Sequence, residues 1–463
     1  MASDMRFSGG SRTGAVILAA VLTVMAGCGP NREAGSRPAQ IERDLRAETD
    51  DDRTADYTGR ILENADPPTL TGKVMCGYQG WFAAPGDGSD LGWHHYGRRS
   101  LLTPETVTFD LWPEMSEFGA EEKFATDFRH ADGSTAYLFS PVVPATVLRH
   151  FDWMRQYGID GVFLQRFGVS LRRPRLRHHR NLVTANVRAA ARQTGRAWAL
   201  MYDLSGLRSG EIHQIVMPDW RELVDSLRIT ADPTYLHHRG RPVVGVWGVG
   251  FSDGRAYTLK ECQELIRFLS DDPEYGGNCV LVGVPTWWRS LTRDAVDDPL
   301  LHQVIQQACI VSPWTVGRYD TPEAADRHIA AMTPADMAWC RAHGLGYLPV
   351  VFPGFSWHNL KATQGEAAPL NAIPRQGGDF LWTQAVAQHR AGADMLYVAM
   401  FDEIDEGTAI FKCSNDPPVD ITPFLTFEGL PPDHYLWLTG CIGELIRGQR
   451  RPHATTPRRL GAD

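Results

Sequence analysis

From Lys73 onward, nine short apolar runs alternate with amphipathic stretches, and that alternation leaves few architectures open to the chain. The runs are Val74 to Phe82, Ala136 to Ser140, Gly161 to Phe167, Ala197 to Leu204, Pro242 to Val249, Cys279 to Pro285, Cys309 to Trp314, Tyr347 to Phe352 and Met395 to Phe401. Runs of this length and composition predict buried strands, and helices between them give strand–helix–strand units that pair in parallel. Val147, Leu148, Phe151 and Met154 share one helical face, Gly158 stops that helix, and Gly161 opens the next strand. Thr321-Pro322 supplies an N-cap with proline at the first helical position, and Gly344 closes the helix before Tyr347. Asn181 to Gln193, closed by Gly195, and Thr258 to Leu269 follow the same pattern. The expected fold is α/β, a (β/α)8 barrel of the TIM type with extended βα loops, for which 463 residues suit one domain. Nine runs compete for eight places, so one is accessory, and Cys279 to Pro285 is the run set aside.

In such a barrel the active site lies where the strands end at their C-terminal edge. Those ends carry Tyr78, Gln79 and Trp81, then Gln165, Tyr202 and Asp203, Trp287, Trp314 and Arg318, Trp357, His358 and Asn359, and Asp402, with His94 and His95 in the first loop. Polar and aromatic groups therefore collect on one face, and 14 tryptophans supply flat surfaces of the kind on which sugar rings stack. These residues are the candidates for substrate binding.

The last apolar run drives straight into Asp402-Glu403-Ile404-Asp405-Glu406-Gly407-Thr408. Acids that close together raise one another's pKa, and two carboxyl groups on one βα loop can act as proton donor and as base or nucleophile in glycoside hydrolysis. Glu403 and Glu406 are the candidate catalytic pair. The alternative is structural, with either glutamate capping a following helix or pairing with an arginine. The spacing lacks the alternate-residue oxygen ladder and central glycine of a calcium loop, and no metal is expected. No G-x-S-x-G elbow or phosphate-cradling glycine loop occurs, so nucleophilic serine chemistry and cofactors are not indicated.

Glu403-Ile-Asp-Glu406-Gly-Thr408 after a barrel strand resembles the Glu-x-x-Glu-Gly-Thr motif of glycoside hydrolase family 99, the endo-α-mannosidase and endo-α-mannanase family. Gly77-Tyr-Gln-Gly-Trp81, Trp93-His-His-Tyr96, Tyr157-Gly-Ile-Asp-Gly-Val162 and Phe352-Pro-Gly-Phe-Ser356 are similar to that family in the same order. The whole is most similar to bacterial proteins described as family 71/99-like, over Pro67 to Arg447. The resemblance implies a retaining hydrolase in which Glu403 deprotonates the sugar 2-hydroxyl, a 1,2-anhydro intermediate forms, and Glu406 is the general acid/base. The chain departs from the pattern at Asp402, where the family has asparagine, at Ile404, where it has an aromatic residue, and at Gln165-Arg166-Phe167, where it has Ser-Trp-Trp.

Arg6 and Arg12 precede an apolar stretch from Gly14 to Gly27 that is too short to span a bilayer, the layout of a secretory signal. Met25-Ala-Gly-Cys28 resembles a lipobox, so residues 1–28 are expected to be a lipoprotein signal with Cys28 as the lipidated residue; the alternative is an ordinary cleaved signal. Gly29 rather than Asp follows the cysteine, which leaves the outer membrane or periplasmic space as the expected destination. Residues 29–66 hold almost no large apolar side chains and are expected to form a flexible tether, with the catalytic domain over 67–450 and a disordered tail over 451–463. A formal net charge of −9 offers no footprint for nucleic acid, and the basic run Leu171 to Arg180 is expected to be a solvated loop. The seven cysteines after Cys28 show no metal-ligand spacing and are expected to be buried thiols with one or two disulfides. The expected partner is a polysaccharide or glycan, either as the substrate of an exported hydrolase or as the ligand of a non-catalytic glycan-binding lipoprotein.

Overall fold

A computed structural model describes residues 67–419 and 422–459; the signal segment, Cys28, the whole of the expected tether and the last four residues of the expected tail lie outside the described residues. Twelve strands are present among them: β1 (Val74–Tyr78), β2 (Phe124–Arg129), β3 (Thr135–Leu138), β4 (Gly161–Phe167), β5 (Ala197–Asp203), β6 (His237–His238), β7 (Arg241–Trp247), β8 (Cys279–Pro285), β9 (Ile310–Trp314), β10 (Gly346–Tyr347), β11 (Val350–Val351) and β12 (Leu396–Val398). The sheet runs in parallel from β12 through β1, β4, β5, β7 and β8 to β9.

The ring closes through a broken strand. Tyr347 of β10 pairs with Val311 of β9, and Val350 of β11 pairs with Tyr397 of β12. Between them Leu348 N donates to Val311 O (2.9 Å), and Tyr397 N donates to Pro349 O (3.0 Å). Because β10 and β11 are two halves of one strand, the parallel strands fill the eight positions of a (β/α)8 barrel, as expected. Gly77 on β1 shows how tight the interior is: a Cβ there would lie 2.2 Å from both the Met400 sulfur and the Tyr397 hydroxyl.

Cys279 to Pro285 is not the accessory run. It is β8, buried at every residue between β7 and β9, as a parallel strand covered on both faces must be. The accessory run is Ala136 to Ser140, whose strand β3 alternates half-buried and buried residues in an antiparallel hairpin with β2 outside the barrel. Apolar content alone does not separate the two cases.

The basic run is likewise not a solvated loop. From Pro174 it forms the first turns of the helix Pro174–Thr194, and the helical period turns His179 and Arg180 inward while Arg172, Arg173 and Arg175 stay exposed. Arg180 Nη1 donates to Gln79 O (3.1 Å), so this helix supports the end of β1. Cys279 and Cys309 form a disulfide that ties the start of β8 to the residue before β9. Cys76, Cys262, Cys340, Cys413 and Cys441 are buried thiols. Part of the expected disordered tail is held: Trp382 Nε1 donates to His453 O (2.9 Å) and Arg459 pairs with Asp433 (2.6 Å). Among the described residues no helix is long and apolar enough to cross a membrane.

Candidate active site

Strand β12 delivers the acidic loop to the C-terminal mouth of the barrel, beside the end of β1. Asp402 is fully buried, and its two oxygens accept from the backbone N–H groups of Gln79 (2.7 Å) and Gly80 (2.8 Å). It therefore fastens the last strand to the first rather than facing a ligand, and burial pushes its pKa up to about 7.

Glu403 is 4 % exposed. Its Oε1 accepts from Gln79 Nε2 (2.6 Å) and its Oε2 from Thr408 Oγ1 (2.8 Å). Burial, and then the neighbouring Asp405 charge, push its pKa up to about 8. The turn that returns Thr408 to Glu403 depends on Gly407: its φ is +64°, and a Cβ there would lie 2.7 Å from Ser356 N. Ser356 N donates to Glu406 O (2.9 Å), and buried Arg375 donates through Nη2 to Gly407 O and Ala409 O (2.7 Å each). Glu406, 5 % exposed, is carried on this clamped turn.

Asp405 lies between the two glutamates in sequence and is 4 % exposed. Its Oδ2 is 3.2 Å from His95 Nδ1, its Oδ1 has no partner, and burial pushes its pKa up to about 8. The His95 ring stacks flat on Trp81, with centroids 4.0 Å apart and planes at 4°. Burial, helped by the Arg180 charge, lowers the His95 pKa to about 3, and burial lowers that of His94 to about 2, so both rings are neutral. Trp81 also packs on Phe167 (5.2 Å), which brings together the loops after β1, β4 and β12.

The interior beneath this cluster is polar on one side and aromatic on the other. Gln165 Nε2 donates to Tyr397 Oη (3.0 Å), and Tyr397 feels the charges of Glu403 and Asp203. Asp203 is buried, with Oδ1 accepting from Ser205 N (2.6 Å). Trp314 meets Tyr397 (6.3 Å) and Trp247 (5.4 Å), and the Arg255 guanidinium lies 5.2 Å over Trp247. Gln79, Trp81, His94, His95, Gln165, Asp203 and Trp314 are thus gathered near Glu403, directly or through His95 and Tyr397, with Glu406 on the turn that follows it.

Other candidates are not. Tyr78 and Tyr202 are adjacent in strand phase to inward residues and so point outward, the Tyr78 hydroxyl to His150 Nδ1 (2.9 Å) and the Tyr202 hydroxyl to Asp219 (2.7 Å). Asn359 donates through Nδ2 to Phe109 O and Pro423 O (3.0 Å each). Asp110 accepts from the backbone N–H groups of His358 (2.7 Å) and Asn359 (2.9 Å), which pins this turn, and His358 Nδ1 faces Ala368 O (2.6 Å). Half-buried Trp357 lies under Lys361 (4.6 Å) and against Phe355. Trp287 lies under Arg293 (4.4 Å), and Arg318 is paired with Asp294 (2.8 Å), at the ends of β8 and β9 across the ring from β1. Asp405, Thr408, Tyr397, Arg180 and Arg375 join the site without having been candidates; the sequence signal for the first two was their place inside the acidic motif.

The fold and site define a (β/α)8 barrel with a buried carboxyl cluster at its C-terminal mouth. This fold is similar to that of a glycoside hydrolase family 99 endo-alpha-mannosidase from Bacteroides thetaiotaomicron. Two structures of that protein, one in complex with BIS-TRIS-propane, match at 16% identity with TM-scores of 0.57 and 0.58, each over 82% of this chain and 99% of that one. No family model matches the chain, and no curated protein does.

Proposed function

We propose that this chain is an exported glycoside hydrolase that cleaves glycosidic bonds in a polysaccharide or glycan with Glu403 and Glu406. The observation that carries the proposal is Glu403 itself: a carboxyl group almost removed from water, held by Gln79 and Thr408 at the mouth of the barrel, with its pKa pushed up to about 8. A buried carboxyl group perturbed in this way, with aromatic rings packed around its neighbours, is a candidate for acid/base work. The Glu-x-x-Glu-Gly-Thr resemblance gives Glu403 the role of base toward the sugar 2-hydroxyl and Glu406 the role of proton donor to the leaving oxygen. Proton, leaving group and water then account for the hydrolysis without a cofactor.

Export and lipidation at Cys28 belong to the same proposal. The Cys279–Cys309 disulfide supports them, because such bonds persist mainly in oxidising compartments. The test is a screen of protein lacking residues 1–28 against a panel of polysaccharides, with chromatographic analysis of products from wild type, Glu403→Gln and Glu406→Gln. Products from wild type that vanish in both variants support the hydrolase. Glycan binding without products from any of the three proteins would instead make this a non-catalytic glycan-binding lipoprotein.

A further inference from the structure

Asp405 is buried at the centre of the site and is used by neither proposed catalytic step. Its Oδ2 faces His95 Nδ1 at 3.2 Å, and its Oδ1 is buried with no partner. A buried carboxyl oxygen without a partner is costly to a fold and calls for an explanation. Two residues of the same cluster also carry a buried polar atom without a partner: Gln79, which bonds Glu403, at Oε1, and Trp81, on which His95 stacks, at Nε1. The charge of Asp405 weighs on Glu403 more than that of any other group.

We propose that Asp405 is a positioning residue which, held by His95, decides whether Glu403 carries its proton. The inference rests on the hydrolase reading for its purpose but not for its test. Two carboxyl groups this deeply buried do not both ionise easily, so one proton is retained between Asp405 and Glu403 until the second leaves at higher pH. His95 contributes by geometry: stacked on Trp81, its neutral ring fixes one oxygen of Asp405 and leaves the other to the site.

The surroundings are mixed in charge. From the segment after β1 come His94, His95 and the buried Tyr96 hydroxyl, which also feels Asp405; from the helix Pro174–Thr194 come His179 and Arg180; from β12 comes the Tyr397 hydroxyl; from the acidic loop itself come Asp402 and Glu403. Arg180 is the cation nearest this group in effect, acting on His95 and Asp402, and its own pKa is lowered to about 9 by burial.

The experiment is a carbon-13 NMR titration of side-chain carboxyl groups in the protein beginning at residue 29, with the Glu403 signal assigned by its loss in Glu403→Gln. Removing the Asp405 charge in Asp405→Asn is expected to lower the Glu403 midpoint by at least one pH unit, a tenfold change in its acid constant. His95→Ala is expected to move the Asp405 midpoint while circular dichroism stays that of the wild type. A Glu403 midpoint that moves by less than 0.3 pH units in Asp405→Asn overturns the proposal, as does an Asp405 midpoint indifferent to His95→Ala. Should Asp405→Asn fail to fold, Asp405→Ser is titrated against the same thresholds. The hydrolase reading fails separately, through a Glu403→Gln protein that keeps its activity, whatever the titration shows.

Discussion

Gln79 and Glu403 lie 324 residues apart and are joined by one hydrogen bond, Nε2 to Oε1 at 2.6 Å. That bond, together with the two from Asp402 to the backbone of Gln79 and Gly80, sews the first strand of the barrel to the last at the point where the acidic loop begins. The proposed chemistry stands where the first and last strands of the barrel meet.

Glu403→Gln and Glu406→Gln are each expected to lower turnover about 10²–10⁴-fold, the usual effect of losing a positioned acid or base. The amide keeps the volume and most hydrogen bonds, so melting temperature should not fall. Initial rates on the substrate found in the polysaccharide screen check this. Near wild-type turnover in either variant removes that residue from the pair.

The pH dependence of stability has a definite sign. Glu403 and Asp405 hold their protons in the folded protein to about 8, against ordinary values of 4.5 and 3.8. The folded state therefore binds more protons than the unfolded one between those limits. This contribution to stability is complete below the ordinary values and is lost as pH climbs through about 8. Calorimetry should show the melting temperature falling between pH 5 and 8.5, with a shallower fall in Glu403→Gln. Equal slopes in the two proteins would contradict the assignment. If Glu403 acts as a base, kcat/KM should rise over the same interval.

The tryptophans divide by their packing. Trp81 is buried against Phe82, His95 and Phe167, so Trp81→Ala should cost about 3–5 kcal/mol of stability in addition to weakening glycan binding. Trp357 is half-buried under Lys361, and Trp357→Ala should change melting temperature far less. Thermal melts of the two variants side by side decide between these outcomes.

Gly407→Ala should destabilise the chain by about 2 kcal/mol or more, since φ of +64° is strained for alanine and the new methyl group meets Ser356 N at 2.7 Å. Because Thr408 then returns imperfectly to Glu403, activity should fall with stability. Chemical denaturation measures the first effect, and steady-state kinetics at a temperature where the variant is folded measure the second.

Cys28→Ser should release the protein from the membrane fraction or block its processing. Detergent partitioning of the protein from its native cell reads this directly, and soluble, unmodified wild-type protein would end the lipoprotein proposal.

Strand-by-strand alternation was enough to derive the barrel from sequence, because each apolar run and each helix cap is a local property of a few residues. It also located the acidic loop at the C-terminal mouth. It did not show that Cys279 to Pro285 is a wall of the barrel and Ala136 to Ser140 a hairpin outside it, since both are short and apolar and only their neighbours differ. Nor did it show that the arginine-rich run from Leu171 shelters Arg180 against the backbone of Gln79.

What the sequence determined by itself is the set of elements and the acidic motif, since propensity, capping and period act over a few residues. What tertiary structure alone decided is which of the gathered residues face the site. Tyr78 and Gln79 are neighbours in sequence, yet the strand's period of two turns one to His150 and the other to Glu403. Asp402 and Asp405 lie on either side of Glu403 in the same motif, yet one is bound by the backbone of β1's end and the other by His95. The partners that separate them lie some 300 residues away, and only closing the barrel brings those distant segments within hydrogen-bonding distance.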